Sequence, residues 1–275
     1  MGRDGSGTHG TFRTRYEIKY LVSSAVAEVI RQFLRPFTVM DSFSRRSADR
    51  RYPICSLYFD SLDLNLYRQT VDGEKNRFKL RVRSYSDDPA APVFLEVKRR
   101  VNDAILKRRA RLPRNTAVAV LNGARLKASE NGLSDLQDDL DFFTGHVSVS
   151  AARPFLRIRY MREAYEAIGG DPLRVTLDTD IASLPTSDAI FDLGGEGWIP
   201  TPVPGTVLEI KFTETYPIWV RELIRKFALQ RQSVAKYVLS VDSFFAESGA
   251  SARGPRRMQE PPSGWDGRPV WARSV

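Results

Sequence analysis

The stretch Arg77 to Tyr85, Arg-Phe-Lys-Leu-Arg-Val-Arg-Ser-Tyr, places a cation at every second position from Arg77 to Arg83. In a strand, residues two apart share a face, so Lys79, Arg81 and Arg83 form a cationic row backed by Phe78, Leu80 and Val82. One such strand describes any solvated sheet face. Here the pattern recurs. Arg13 to Leu21 sets Arg13, Arg15, Glu17 and Lys19 against Tyr16, Ile18 and Tyr20, and Val93 to Arg100 sets Glu96, Lys98 and Arg100 against Val93, Leu95 and Val97. Lys107, Arg109 and Arg111 share a face of Ile105 to Leu112, Arg157 and Arg159 share one of Arg153 to Arg162, and Thr206 to Phe212 carries Glu209 and Lys211. Pro53 to Asp60 and Leu173 to Asp180, with Arg174, Thr176 and Asp178 on one face of the latter, bring the expected strands to eight.

Amphipathic or capped segments punctuate these strands. Helices are expected over Ala25 to Leu34 behind a serine cap, Leu62 to Thr70, Pro113 to Leu121, Leu133 to Phe143, Pro217 to Leu229 and Ser233 to Phe245, the last carrying Lys236. Eight strands with one charged and one apolar face, flanked by helices that need an apolar surface to cover, fit an α+β fold. They predict an eight-stranded antiparallel β-barrel with a charged lumen and helices packed outside. The loop from Leu184 to Gly205 is long for a connection and predicts a lid. Residues 1–11 are expected to be a disordered N-terminus, 12–245 the folded domain, and 246–275 a disordered basic tail rich in Pro and Gly.

Composition narrows the chemistry. There are 42 Lys plus Arg against 33 Asp plus Glu, a net charge of +9, which favours an anionic partner. A single cysteine, Cys55, excludes an internal disulfide, and only two histidines, His9 and His146, argue against a histidine-based zinc site or triad. Carboxylates, lysines and arginines must do the work. A lumen lined by like charges is costly when empty, so a polyanion is the expected occupant. No segment is apolar enough to span a bilayer, so a cytoplasmic location, peripheral to a membrane at most, is expected. The sequence carries no RNA-binding signature, and a closed lumen would exclude a duplex, so no nucleic acid partner is expected.

Arg15-Tyr-Glu-Ile-Lys-Tyr20, Ser56-Leu-Tyr-Phe-Asp60, Lys79-Leu-Arg-Val-Arg83, Phe94-Leu-Glu-Val-Lys98, Leu156-Arg-Ile-Arg-Tyr160, Arg174-Val-Thr-Leu-Asp178, Val207-Leu-Glu-Ile-Lys211 and Ala235-Lys-Tyr237, taken in that order, resemble the VTC domain. That is the polyphosphate polymerase domain of the vacuolar transporter chaperone family, within the CYTH-like triphosphate tunnel metalloenzymes. The resemblance implies that Lys19, Arg81, Arg83, Lys98, Lys107, Arg157, Arg174 and Lys236 handle the triphosphate of ATP or another nucleoside triphosphate and the growing polyphosphate. It implies that Lys211 assists in binding and that Glu209 holds a divalent metal, Mn²⁺ or Mg²⁺. It also brings in a membrane partner protein as a potential receiver of the product. Hydrolytic relatives begin with Glu-x-Glu-x-Lys, and here the first position is Arg15, which favours phosphoryl transfer to phosphate or polyphosphate over hydrolysis. The rival readings are a tripolyphosphatase or nucleoside triphosphatase on the same scaffold, and a non-catalytic polyanion-binding module.

Overall fold

The computed structural model describes residues 15–102, 104–124, 134–169, 172–213 and 215–247. In chain order the elements are β1 (Arg15–Val22), α1 (Ser24–Leu34), β2 (Thr38–Met40), α2 (Ser42–Arg46), β3 (Tyr52–Asp60), α3 (Asn65–Val71), β4 (Asn76–Ser84), β5 (Val93–Val101) and β6 (Ala104–Leu112). There follow α4 (Arg114–Leu121), α5 (Ser134–Val149), β7 (Arg153–Ala167), β8 (Arg174–Pro185), β9 (Ile199–Pro200), β10 (Thr206–Thr213), α6 (Ile218–Lys226) and α7 (Lys236–Glu247). All eight expected strands are present. The short β2 and β9 and the one-turn α2 are additions; of the disorder expected for 1–11 and 246–275, residues 246 and 247 are instead the end of α7, and the rest lies outside the described residues.

The strands form one antiparallel sheet in the order β1-β10-β8-β7-β3-β4-β5-β6, with β2 on β7 and β9 on β8. This corrects the closed barrel: no ladder joins β1 to β6 among the described residues. The free edge of β1 is taken instead by the segment between α6 and α7, where Tyr20 bridges to Arg231 and the Gln232 N–H donates to the Lys19 carbonyl at 2.9 Å. The sheet still curls far enough for side chains of its two ends to meet, because Lys98 on β5 lies 3.0 Å from Glu17 on β1.

The convex face is apolar and carries most of the helices. Toward β1 it buries Leu208, Ile210, Val175 and Leu177 under Ala27, Ile30 and Leu34 of α1 and Val220 and Leu223 of α6. Toward β6 it buries Leu57, Leu80, Val82, Leu95 and Val97 against Ala117 of α4 and Leu140 and Phe143 of α5. Full burial of each such side chain contributes about 1.5–3 kcal/mol, so these two layers fix the curvature. The first part of the expected lid belongs to this outer face as well, while its end reaches α7, where Thr201 Oγ1 lies 2.9 Å from Ser240 Oγ. Residues 191–193 cover β3 and β7 there, with Ser84 Oγ donating to the Phe191 carbonyl at 2.6 Å.

The concave face is divided. One part stays polar, while α7 lies across the other and packs Tyr237 and Val241, with Val234 just before the helix, on Ile54, Tyr58, Leu156, Ile158 and Val207. The expectation that every helix sits outside therefore fails for α7. Asp60 at the end of β3 anchors it: its carboxylate accepts from Tyr237 Oη at 2.6 Å and from the N–H groups of Leu66 and Tyr67 at 2.9 Å each. It thereby caps α3, whose preceding residue Leu64 is left-handed at φ 56° and offers no side-chain cap. Asp60→Asn would present a donor to these donors and should destabilise the fold by about 2–3 kcal/mol, a fall in Tm of about 4–10 °C. Thermal unfolding measures it, and an unchanged Tm would show that α3 and α7 are held by other contacts.

Candidate functional site

Cross-strand register assembles the polar half of the concave face. Lys79 on β4 pairs with Lys98 on β5, and Lys98 with Lys107 on β6, so three lysines stand side by side. The next row is Arg81, Glu96 and Arg109, and the one after it Arg83, Phe94 and Arg111. Like charges directly opposite destabilise a sheet. Within these rows the one compensating anion is Glu96. It is buried, and it gathers Arg81 at 2.7 Å, Lys107 at 2.9 Å, Arg109 at 3.2 Å and Arg83 at 3.9 Å.

A second cluster faces this one from β1 and β10. Glu17 pairs with Lys19 at 2.7 Å and Lys98 at 3.0 Å, and Glu209 with Lys211 at 2.5 Å and Lys19 at 4.0 Å. A third is buried where α7 begins. Asp178 holds Arg162 through two hydrogen bonds of 2.7 and 2.8 Å and Lys236 at 2.7 Å. Arg174 shares the concave face but sits at its rim, with Asp41 at 2.5 Å and Glu166 at 3.2 Å.

Of the residues singled out from the sequence, Lys19, Arg81, Arg83, Lys98, Lys107, Lys211, Glu209 and Lys236 converge on this trough, with Arg174 at its edge. Arg157 does not. Its register partner Leu57 belongs to the convex apolar layer, and its guanidinium donates to the Asp192 carbonyl at 3.3 Å and lies 5.1 Å from the Trp198 ring. From Leu156 onward the even-numbered positions of β7 face inward, so Arg162 occupies the concave position that sequence reasoning gave to Arg157. The same parity turns Arg159 outward onto Trp198. The sequence held no local signal for this, because arginines stand on both parities of β7 and the pairing of Arg162 with Asp178 is visible only in the register.

The electrostatics are those of a site short of anions. Burial, reinforced by Lys19, Lys98 and Arg81, lowers the Lys79 ammonium to about 8, and no carboxylate lies within ion-pair distance of it among the described residues. Burial outweighs Glu17 at Lys98 and Glu96 at Lys107, so both of these are lowered too. The Tyr58 phenol, raised by burial but more strongly lowered by Arg81, Lys79 and Arg83, comes down to about 8. The acids show the converse. Burial and Glu209 push the Glu17 carboxyl up, but Lys19, Lys98 and Lys211 bring it to about 2. Despite burial, Glu96 is held far below the usual carboxylate range by Arg81, Arg83 and Lys107, and Glu209 is held well below it by Lys211 and Lys19.

A divalent metal would find hard oxygen donors only in part. Glu209 Oε1 is buried without an aligned hydrogen bond, and its carboxylate is close enough to Glu17 to push the Glu17 carboxyl up. No group of three or more acidic, His or Cys side chains is placed to hold an ion among the described residues. The donor set thus suits Mn²⁺ or Mg²⁺ only if phosphate oxygens complete the coordination.

The sequence model of the VTC domain matches residues 14–245. The chain belongs to the VTC domain family. No curated protein sequence matches it. Among solved structures, a candidate adenylate cyclase from Vibrio parahaemolyticus is 14% identical with a TM-score of 0.42, covering 83% of this chain and 98% of its own. A protein from Pyrococcus horikoshii is 11% identical with a TM-score of 0.43, covering 82% and 98%. No helix among the described residues is long and apolar enough to cross a membrane.

Anion binding should restore protons to Lys79, Lys98, Lys107 and Tyr58. With free values near 8 for Lys79 and Tyr58 and higher values in the complex, the complex carries more protons around pH 8–9. ATP affinity should therefore fall as pH rises through about 8, and titration calorimetry in buffers of different ionisation enthalpy should register proton uptake. Lys79→Met combined with Tyr58→Phe should flatten that profile, and a profile unchanged by both substitutions would refute the assignment.

Proposed function

We propose that this protein is a polyphosphate polymerase: it transfers the terminal phosphoryl group of ATP, or another nucleoside triphosphate, to a phosphate or polyphosphate end in the trough. The carrying observation is the Lys79, Lys98, Lys107 row, three ammoniums opposed across strands, of which Lys98 meets Glu17 at 3.0 Å and Lys107 meets Glu96 at 2.9 Å while Lys79 has no carboxylate within ion-pair distance among the described residues. Such a row is unfavourable for folding alone and is relieved by an extended phosphate chain.

In this reading an oxygen of the acceptor's terminal phosphate attacks the γ-phosphorus, and the bond from that phosphorus to the bridging oxygen breaks. ADP leaves with the electron pair. Arg81 and Arg83 supply fork-shaped donors to equatorial oxygens, while Lys19, Lys98, Lys107 and Lys211 supply point charges. Glu96 positions Arg81, Lys107 and Arg109 before substrate arrives. Arg162 and Lys236, held by Asp178, and Arg174 at the rim extend the cationic path along which the polymer lies. Glu209, together with phosphate oxygens, would hold a hard divalent cation, Mn²⁺ or Mg²⁺, which would supply further positive charge at the phosphoryl group. Positioning and charge stabilisation are most of what phosphoryl transfer requires. With Arg15 where hydrolytic relatives carry glutamate, activation of water is disfavoured. A cytoplasmic location with the product passed to a membrane partner belongs to the same proposal.

Incubation with ATP and Mn²⁺ should yield acid-stable polymer on a sizing gel, and Glu209→Gln should abolish it while the protein stays folded. Free phosphate as the only product would favour the tripolyphosphatase or nucleoside triphosphatase reading, and no turnover at all the polyanion-binding module.

Ligand stabilisation tests the trough without turnover. Tripolyphosphate at about 100 times its Kd contributes roughly 2.7 kcal/mol by mass action, which should raise Tm by several degrees. Orthophosphate, reaching fewer of the cations, should do much less at equal concentration. Equal shifts, both erased by moderate salt, would mark the rows as an ordinary solvated surface.

A further inference from the structure

Beyond the cations, an aromatic shelf stands at the same rim. Tyr85 continues the Lys79, Arg81, Arg83 row, one step past the end of β4, and Phe94 pairs with Arg83 across the ladder. Phe43, on α2, stacks on Tyr85 with ring centroids 5.9 Å apart and planes at 21°, and lies 5.4 Å from Tyr52. The rings are wired to the phosphate-binding cations. Arg109 lies 3.5 Å over the Phe94 ring and donates to Tyr85 Oη at 3.2 Å, while Arg174 donates to Tyr52 Oη at 3.3 Å.

Phe43 is 49% exposed, a cost in apolar hydration with no matching gain to the core. Phosphate chains gain nothing from an exposed aromatic face. A purine does, since any base offers a π-face to an aromatic ring. Tyr85 lies about 13 Å along the strand from Arg81, a distance that a ribose and the inner phosphates bridge when the terminal phosphate sits among Arg81, Lys98 and Lys107. We propose that the exposed face of Phe43, backed by Tyr85 and Tyr52, is the nucleobase subsite for the nucleoside triphosphate, so that the nucleotide enters terminal phosphate first and its base stays at the rim.

This rests on the triphosphate-binding reading and goes beyond it, because stacking senses ring area rather than the hydrogen-bonding edge. ATP and GTP should bind alike, and UTP more weakly. Titration calorimetry of ATP, UTP and tripolyphosphate with the wild-type chain and with Phe43→Ala tests the subsite. Phe43→Ala should weaken ATP about ten-fold, the scale of one lost stacking partner, weaken UTP less, and leave tripolyphosphate unchanged. The unchanged tripolyphosphate affinity also shows that the variant is folded. Phe43→Trp should retain ATP affinity. Equal losses for ATP and tripolyphosphate, or no loss for either, would overturn the subsite while leaving the triphosphate reading standing. Failure of the wild-type chain to bind ATP and tripolyphosphate at all would overturn both.

Discussion

One buried carboxylate decides how the concave face is organised. Glu96 stands in the middle of seven cations contributed by β4, β5 and β6, and without it the register of these three strands would bring arginine and lysine rows together uncompensated. Because it is buried, its charge is poorly screened and its attraction reaches four of them directly. It does not neutralise them. Positive charge remains, and in the function proposed above each phosphate along a chain would compensate part of what one carboxylate leaves unbalanced.

The other two clusters follow the same arithmetic with different outcomes. Around Asp178 the two cations Arg162 and Lys236 share one acid in a buried pocket, and the cluster ties the first residue of α7 to β7 and β8. Around Glu17 and Glu209 the acids are as numerous as their nearest lysines on β1 and β10, so this wall of the trough is close to neutral and can admit a metal ion that the lysine-rich wall would repel. Charge thus varies around the cavity: anionic oxygen on one side, cationic nitrogen on the other.

Strand positions and their alternation were legible in the sequence because period-two patterning is local. Facing was not equally legible. β7 carries arginine on both parities, Arg157 and Arg159 on one and Arg162 on the other, so alternation identifies two faces without saying which turns inward. Closure was also beyond the pattern: whether β1 accepts β6 or the Arg231–Gln232 segment depends on a contact more than two hundred residues apart. Likewise α7 shows an ordinary amphipathic stripe, and an apolar stripe fits a concave surface of Ile54, Tyr58 and Ile158 as well as a convex one. The loop from 184 carries Gly and Pro suited to a lid, but Phe191 found an apolar layer to enter on the far side.

Among the described residues no further strand pairs with β6, and an unpaired edge invites another chain to join it. Strands that carry inward-pointing charge resist such joining. A second copy docking along β6 would bring its own Lys107, Arg109 and Arg111 next to those already there, extending the repulsive rows by another strand. The cations proposed above to bind phosphate therefore also oppose edge-to-edge aggregation. Swapping them for apolar residues would cost colloidal stability as well as ligand affinity.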